Sequence, residues 1–181
     1  MNADIDLSKS ALLIIDMQRD FLEEGGFASQ LGNDVSKVQR AIRPCQTALH
    51  AARAFNTMNT HQDILILHTR EGHRPDLADL HPHKHNRRGL VAPTIGQPGP
   101  YGRILVRGQA GHDIIPDVYP QEGEPIIDKP GKGSFYATDL EAILTANGIQ
   151  TIFVCGVTSE VCVHTTIREG KSLYFILFYK H

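Results

Sequence analysis

The chain has no tryptophan, only three cysteines among 181 residues, and no surplus of either charge. Each shortage excludes something. Cys45, Cys155 and Cys162 are odd in number and widely spaced, so they make neither a disulfide framework nor a zinc-ligand pattern, and a reducing cytoplasmic setting is expected. A formal net charge of −2 without a basic stripe argues against a nucleic-acid or acidic-membrane partner. No apolar run approaches the roughly 20 residues of a membrane span. Residues 1–10 are polar and acidic, lack the basic and apolar regions of a signal peptide, and are expected to be a flexible N-terminus. Repeats and low-complexity tracts are also missing. The length suits one domain, 1–181, with room for a substantial core.

What is present is a set of short apolar runs separated by helical patterns. Ala11–Ile15 is continuously apolar, as in a strand buried on both faces, and it ends at Asp16. Residues 17–31 carry Gly25-Gly26 and read as a loop. Asp34 is placed to cap a long helix over 35–59, with Pro44 marking a bend or break. Ile64–Leu67 is a second buried strand. Residues 70–103, rich in Pro, Gly, His and Arg, form a long loop of the kind that carries function. Ile104–Val106 is a brief strand, and Ile126-Ile127 a main one ending at Lys129. A helix capped by Thr138 or Asp139 runs to about Ala146, with Gly148 as its stop. Thr151–Cys155 is a strand, Gly156 breaks it, and a helix follows on the spacing of Val161, Thr165 and Arg168. Leu173–Phe178 is the last strand. Strands alternating with helices predict an α/β fold: a Rossmann-like parallel sheet with helices on both faces.

Ligands bind such sheets at the carboxyl ends of the strands. Asp16, Lys129 and Cys162 all lie at or just past predicted strand ends, so the topology gathers them. A cysteine near a helix start is by itself more often a core residue, as Cys45 and Cys155 are read here. With a carboxylate and an ammonium beside it, it becomes a nucleophile. The helix start favours a thiolate. Asp16 is the base, and Lys129 holds both groups ionised. Attack on a carbonyl would give a thioester and release an amine or ammonia. Backbone N–H groups at Thr158 and Cys162 would form the oxyanion hole.

These residues lie in three segments that resemble the isochorismatase-like cysteine hydrolases: Leu-Leu-Ile-Ile-Asp-Met-Gln-Arg-Asp-Phe (12–21), Asp-Lys-Pro-Gly-Lys-Gly-Ser-Phe-Tyr-Ala-Thr-Asp-Leu (128–140) and Cys-Gly-Val-Thr-Ser-Glu-Val-Cys-Val (155–163). The resemblance runs from about Ala11 to the end. It implies that Asp16, Lys129 and Cys162 are the catalytic triad and that the Val157–Thr158 peptide is cis. His-Thr-Arg-Glu-Gly-His-Arg-Pro-Asp-Leu (68–77) looks like the branch that hydrolyses biuret, triuret or related carbamoyl amides, which implies a small-molecule amide substrate and no cofactor. Lys132 would then grip a substrate carbonyl or carboxylate, and Gln18, Phe21, Phe135 and Tyr136 would line the pocket.

The alternatives are a nicotinamidase, an isochorismatase-type hydrolase, or an inactive member. The nicotinamidase branch has an Asp-x-His metal pair where this chain has Glu71-Gly72-His73. His81, His83 and His85 alternate nearby, but no compact ligand set is present and no metal is assigned. Family members usually continue past the last strand, so the end of this chain reads as shortened, leaving an apolar sheet edge. That edge and the family together imply a homo-oligomer.

Overall fold

The computed structural model describes residues 5–59, 63–85 and 94–179; for His85 only the backbone is described. In chain order its elements are β1 (Ser10–Ile15), α1 (Arg19–Leu22), α2 (Phe27–Gln30), α3 (Val35–Gln39), α4 (Ile42–Met58), β2 (Leu65–Glu71), α5 (Pro82–His85), β3 (Pro98–Gly99), β4 (Gly102–Arg103), β5 (Ile126–Lys129), α6 (Leu140–Ala146), β6 (Thr151–Gly156), α7 (His164–Ser172) and β7 (Ile176–Tyr179). The five long strands form one sheet in the order β5-β2-β1-β6-β7, with every pairing parallel. This is the expected Rossmann-like architecture.

The continuous apolar run of β1 is explained by what covers it. Ala11, Leu13 and Ile15 pack in one cluster with Leu140 and Leu144 of α6 and with Val163. Leu12 and Ile14 point the other way, toward Cys45, Leu49 and Ala52 of α4. A strand alternates its side chains between faces, so a strand covered on both must be apolar at every position. The chain steps from β1 outward through β2 to β5, then returns to the other side of β1 for β6 and β7. That reversal puts a crevice at the carboxyl end of β1.

Several expectations are corrected. Residues 17–31 are not all loop; they hold α1 and α2. The helix expected over 35–59 is two helices. Asp34 caps α3 by accepting the Ser36 N–H, a turn follows at Arg40-Ala41, and Pro44 sits in the first turn of α4, where a missing N–H costs nothing. Ile104–Val106 is buried but not a strand, because Leu105 has φ of 48°, outside the extended region. β2 runs four residues further than its apolar pattern, from His68 through Glu71, since all four pair with β5 and the first two with β1 as well: Arg70 faces Asp128 across the ladder with an ion pair of 2.7 Å. The last strand begins only at Ile176, because Tyr174 takes φ of 66° in the turn after α7. β7 lies at the sheet edge with Ile176 and Phe178 exposed. The expected flexible N-terminus falls partly outside the described residues, as does part of the long loop.

Gly156 ends β6 with φ of 128°, and a Cβ there would lie 2.1 Å from the Ile15 carbonyl oxygen. No other residue allows β6 to leave the sheet this close to β1. Gly156→Ala is expected to lower unfolding stability by at least about 2 kcal/mol, read as a fall in the urea midpoint.

Candidate active site

The carboxyl ends of four adjacent strands supply the site. Asp16 follows β1 with φ of 51°, a strained conformation for a residue with a side chain. Its Oδ1 accepts the Thr69 hydroxyl at 2.7 Å, and its Oδ2 lies 2.7 Å from Lys129 Nζ. Both partners of that ion pair have no solvent exposure. Lys129 also donates to the carbonyl oxygens of Gly131 and Lys132, at 3.1 and 3.0 Å. Cys162 is 4% exposed, and the reactive atoms of Asp16, Glu71 and Cys162 all lie within 4.8 Å of one another. The three residues that the sequence places at strand ends are therefore brought together.

Around Cys162 the chain is a π-helical turn, Ser159–Val163, before α7 begins, rather than the start of a regular helix. Single π turns of this kind recur at functional sites. The Val157–Thr158 peptide bond is cis. The Cys162 carbonyl accepts the Thr166 hydroxyl, and Ser134 bonds to Thr166 in turn, which ties the turn after β5 to α7. Lys132 is carried on that turn.

Sequence reasoning weighed Glu71 only as a metal-ligand counterpart and did not single out Lys84; both belong to this site. Glu71 is fully buried and faces Lys129 across the β2–β5 ladder. Its Oε1 is 2.7 Å from Lys84 Nζ and 2.9 Å from Lys132 Nζ; its Oε2 accepts from Lys132 at 3.1 Å and from the Cys162 thiol at 3.5 Å. Lys84, on α5, also donates to the Pro130 carbonyl at 2.7 Å and meets His73 Nε2 at 2.9 Å. His73 Nδ1 meets Asp79 at 3.2 Å, which fixes the tautomer: Nδ1 donates to Asp79 and Nε2 accepts from Lys84. The strand-end rule that found Asp16 would have found Glu71 had β2 been read to its true end. Lys84 lay hidden in a tract read for its histidines.

The remaining expected residues divide. Gln18 is buried, and its amide is committed to backbone: Nε2 donates to the Glu71 and His112 carbonyls, and Oε1 accepts the Glu71 N–H. It clamps Glu71 in place instead of facing a pocket. Phe21 packs in the core against Phe27, and Phe135 stacks on Phe175. Tyr136 is largely exposed, with its ring against Gly131. His81 and His83 stack on each other away from any clustered ligand set, and the His85 side chain lies outside the described residues. The one clustered donor set among the described residues, Asp16, Glu71 and Cys162, already surrounds the Lys129 ammonium, 2.7 Å from Asp16 and 4.0 Å from Glu71.

Burial and charge set the ionisation states. Burial would depress the Lys129 ammonium, but the carboxylates of Asp16 and Glu71 outweigh it and push its pKa up. Burial pushes the Glu71 carboxyl up, and Lys132, Lys84 and Lys129 more than reverse this, holding it at about 2. Burial and then Asp16 push the Cys162 thiol well up against the pull of Lys129. The resting form is a thiol, contrary to the thiolate expected from a helix start, because desolvation here exceeds the helix-end effect. Burial and then Lys84 push the His73 pKa down, so it stays neutral, as its acceptor role requires.

The isochorismatase domain model matches residues 10–174. The chain belongs to the isochorismatase family, whose solved members include proteins described as hydrolases. The ureidoacrylate amidohydrolase RutB of Yersinia enterocolitica is 31% identical over 167 residues, covering 90% of this chain and 69% of that protein. A cysteine hydrolase from Pseudomonas syringae pv. phaseolicola superposes with a TM-score of 0.79 at 27% identity, covering 98% of this chain and 73% of that one. N-carbamoylsarcosine amidase from Thermoplasma acidophilum shares the fold, with a TM-score of 0.69 at 21% identity over 94% of this chain and 80% of that one.

Two outcomes follow from the ionisation states. The Glu71 pKa is lowered on folding, so its contribution to stability is complete above about 4.5 and is lost as pH falls toward about 2; urea midpoints should drop across that window, less steeply in Glu71→Gln. Alkylation of Cys162 by iodoacetamide at pH 7, followed by peptide mass spectrometry, should be slower in the folded protein than in the unfolded chain.

Proposed function

We propose that this protein is a cysteine amidohydrolase that cleaves a C–N bond of a small carbamoyl-type amide, of the biuret, triuret or ureido kind, and releases ammonia. The observation that carries the reading is the meeting of Asp16, Lys129 and Cys162 at the ends of β1, β5 and β6, with a buried 2.7 Å ion pair beside the thiol. RutB and the carbamoylsarcosine amidase, by name, act on carbamoyl-type substrates, which supports the substrate class.

In this mechanism Asp16 takes the thiol proton as Sγ attacks the substrate carbonyl carbon, so a free thiolate never accumulates. Lys129 balances the negative charge that moves onto sulfur. The N–H groups of Thr158 and Cys162 receive the oxyanion. The C–N bond breaks, the leaving nitrogen takes the proton from Asp16, and ammonia departs from a thioester. Asp16 then takes a proton from water, the resulting hydroxide opens the thioester, and the proton returns to sulfur. Products are ammonia and a carbamoyl acid. Lys132 and Tyr136 line the entrance, Lys132 gripping a polar end of the substrate. The three free cysteines suit a cytoplasmic enzyme, and the exposed apolar side chains on edge strand β7 suit a homo-oligomer.

The test is an ammonia-release screen across biuret, triuret, ureidoacrylate-like amides, N-carbamoyl amino acids and nicotinamide. Turnover of a carbamoyl compound is expected, with Cys162→Ala and Cys162→Ser each reducing it roughly a thousandfold or more. Undiminished turnover in Cys162→Ala would overturn the assignment, and preference for nicotinamide would move the protein to a different branch.

A further inference from the structure

Glu71 has no part in the proton transfers above, yet it is the most heavily engaged side chain in the site. Three lysines surround it, and Oε1 is fully occupied by Lys84 and Lys132. Oε2 faces the nucleophile: besides Lys132 at 3.1 Å, its partner is the thiol of Cys162 at 3.5 Å. Once the thiol proton has gone, that direction opens toward whatever is bonded to sulfur. Lys84 keeps Glu71 from turning, because Lys84 is itself held by the Pro130 carbonyl and by a neutral His73 anchored on Asp79.

A carboxylate kept ionised by three ammonium groups is a poor base at neutral pH but a strong, fixed hydrogen-bond acceptor. Sγ therefore lies beside two acceptors, Asp16 and Glu71, the three reactive atoms all being within 4.8 Å of one another. A carbonyl oxygen is repelled by both and turns to the N–H groups of the oxyanion site. N–H groups are drawn to both. The carbonyl carbon of a ureido group carries a nitrogen on each side, whereas that of a simple carboxamide carries nitrogen on one side and carbon on the other.

We propose that Glu71, held by Lys84, is the specificity-determining residue: it accepts the N–H of the substrate nitrogen that stays, while Asp16 serves the nitrogen that leaves. The site thereby selects N–CO–N over C–CO–N. This rests on the carbamoyl-amide reading and adds to it which residue discriminates. A carboxamide would leave Glu71 desolvated and facing a methylene, a mismatch that sites built for hydrogen bonding reject strongly.

Matched pairs test this on the wild-type protein, so the result does not depend on a variant folding. Biuret is compared with malonamide, and N-carbamoylglycine with succinamate; each pair differs only by NH against CH2. Ammonia release should favour the ureido member by roughly 10- to 100-fold in kcat/KM, the range set by a hydrogen bond to an ionised group. In Glu71→Gln, which turns an amide toward the substrate, the preference should shrink to about threefold or less. Lys84→Met, which leaves Glu71 held by Lys132 without its second anchor on Oε1, should shrink it partway. Equal rates within wild-type pairs, or an undiminished preference in a folded Glu71→Gln protein, would overturn the role of Glu71 while leaving the hydrolase intact. No Cys162-dependent ammonia from any pair member would remove the hydrolase reading, and this inference with it.

Discussion

An ammonium and a carboxylate 2.7 Å apart, neither touching solvent, set the terms for the rest of this structure. Taking two charges out of water is expensive, and their mutual attraction offsets the loss only when every remaining donor and acceptor is satisfied. The surroundings of Asp16 and Lys129 go most of the way: a threonine hydroxyl on Asp16 Oδ1 and two turn carbonyls on Lys129, with the ion pair itself facing Asp16 Oδ2. Removal of either partner would strand the other charge in the core. The pair is therefore possible only where strand ends lie close enough to bring both groups together without side-chain freedom. That place is the reversal of strand order at β1.

The second layer follows from the first. Lys129 opposes Glu71 across the β2–β5 ladder, and Glu71 in turn gathers Lys84 and Lys132. Three ammonium groups and two carboxylates leave one positive charge unmatched, and sulfur is the atom positioned to match it when the thiol ionises. Burial alone makes a buried thiol inert. Under the mechanism proposed above, the surplus cation would make ionisation attainable at the moment of attack without making the resting sulfur reactive.

Much of this was legible before the structure was known, for a physical reason: strands covered on both faces announce themselves as unbroken apolar runs, and the parallel topology then says where their ends meet. Asp16, Lys129 and Cys162 could be read from that alone. Where an element owes its conformation to pairing and not to composition, reading failed. Thr69, Arg70 and Glu71 are polar, and they are strand only because β5 pairs with all three, with β1 alongside Thr69 as well. Leu105 is apolar but has positive φ, and its buried N–H is bound by the Asp20 carboxylate rather than by a strand partner. Pro44 was correctly noticed, but it sits in the first turn of α4, just after the break. Lys84 acquires its role through His73 and Asp79, a chain of contacts with no periodic signature.

The placement of β1 has a consequence for how the molecule comes into being. β1 is the third strand of five, and its neighbours are β2 and β6, the latter paired through Ser10 with Thr151. The chain must therefore close a loop of well over a hundred residues before its central strand has both partners. Contact order is correspondingly high, which slows folding and lengthens exposure of apolar strands. The charged groups of the proposed site come from the end of β1, β2, α5 and the end of β5 with its turn, and Cys162 from beyond β6. The proposed site is assembled only when β6 joins β1.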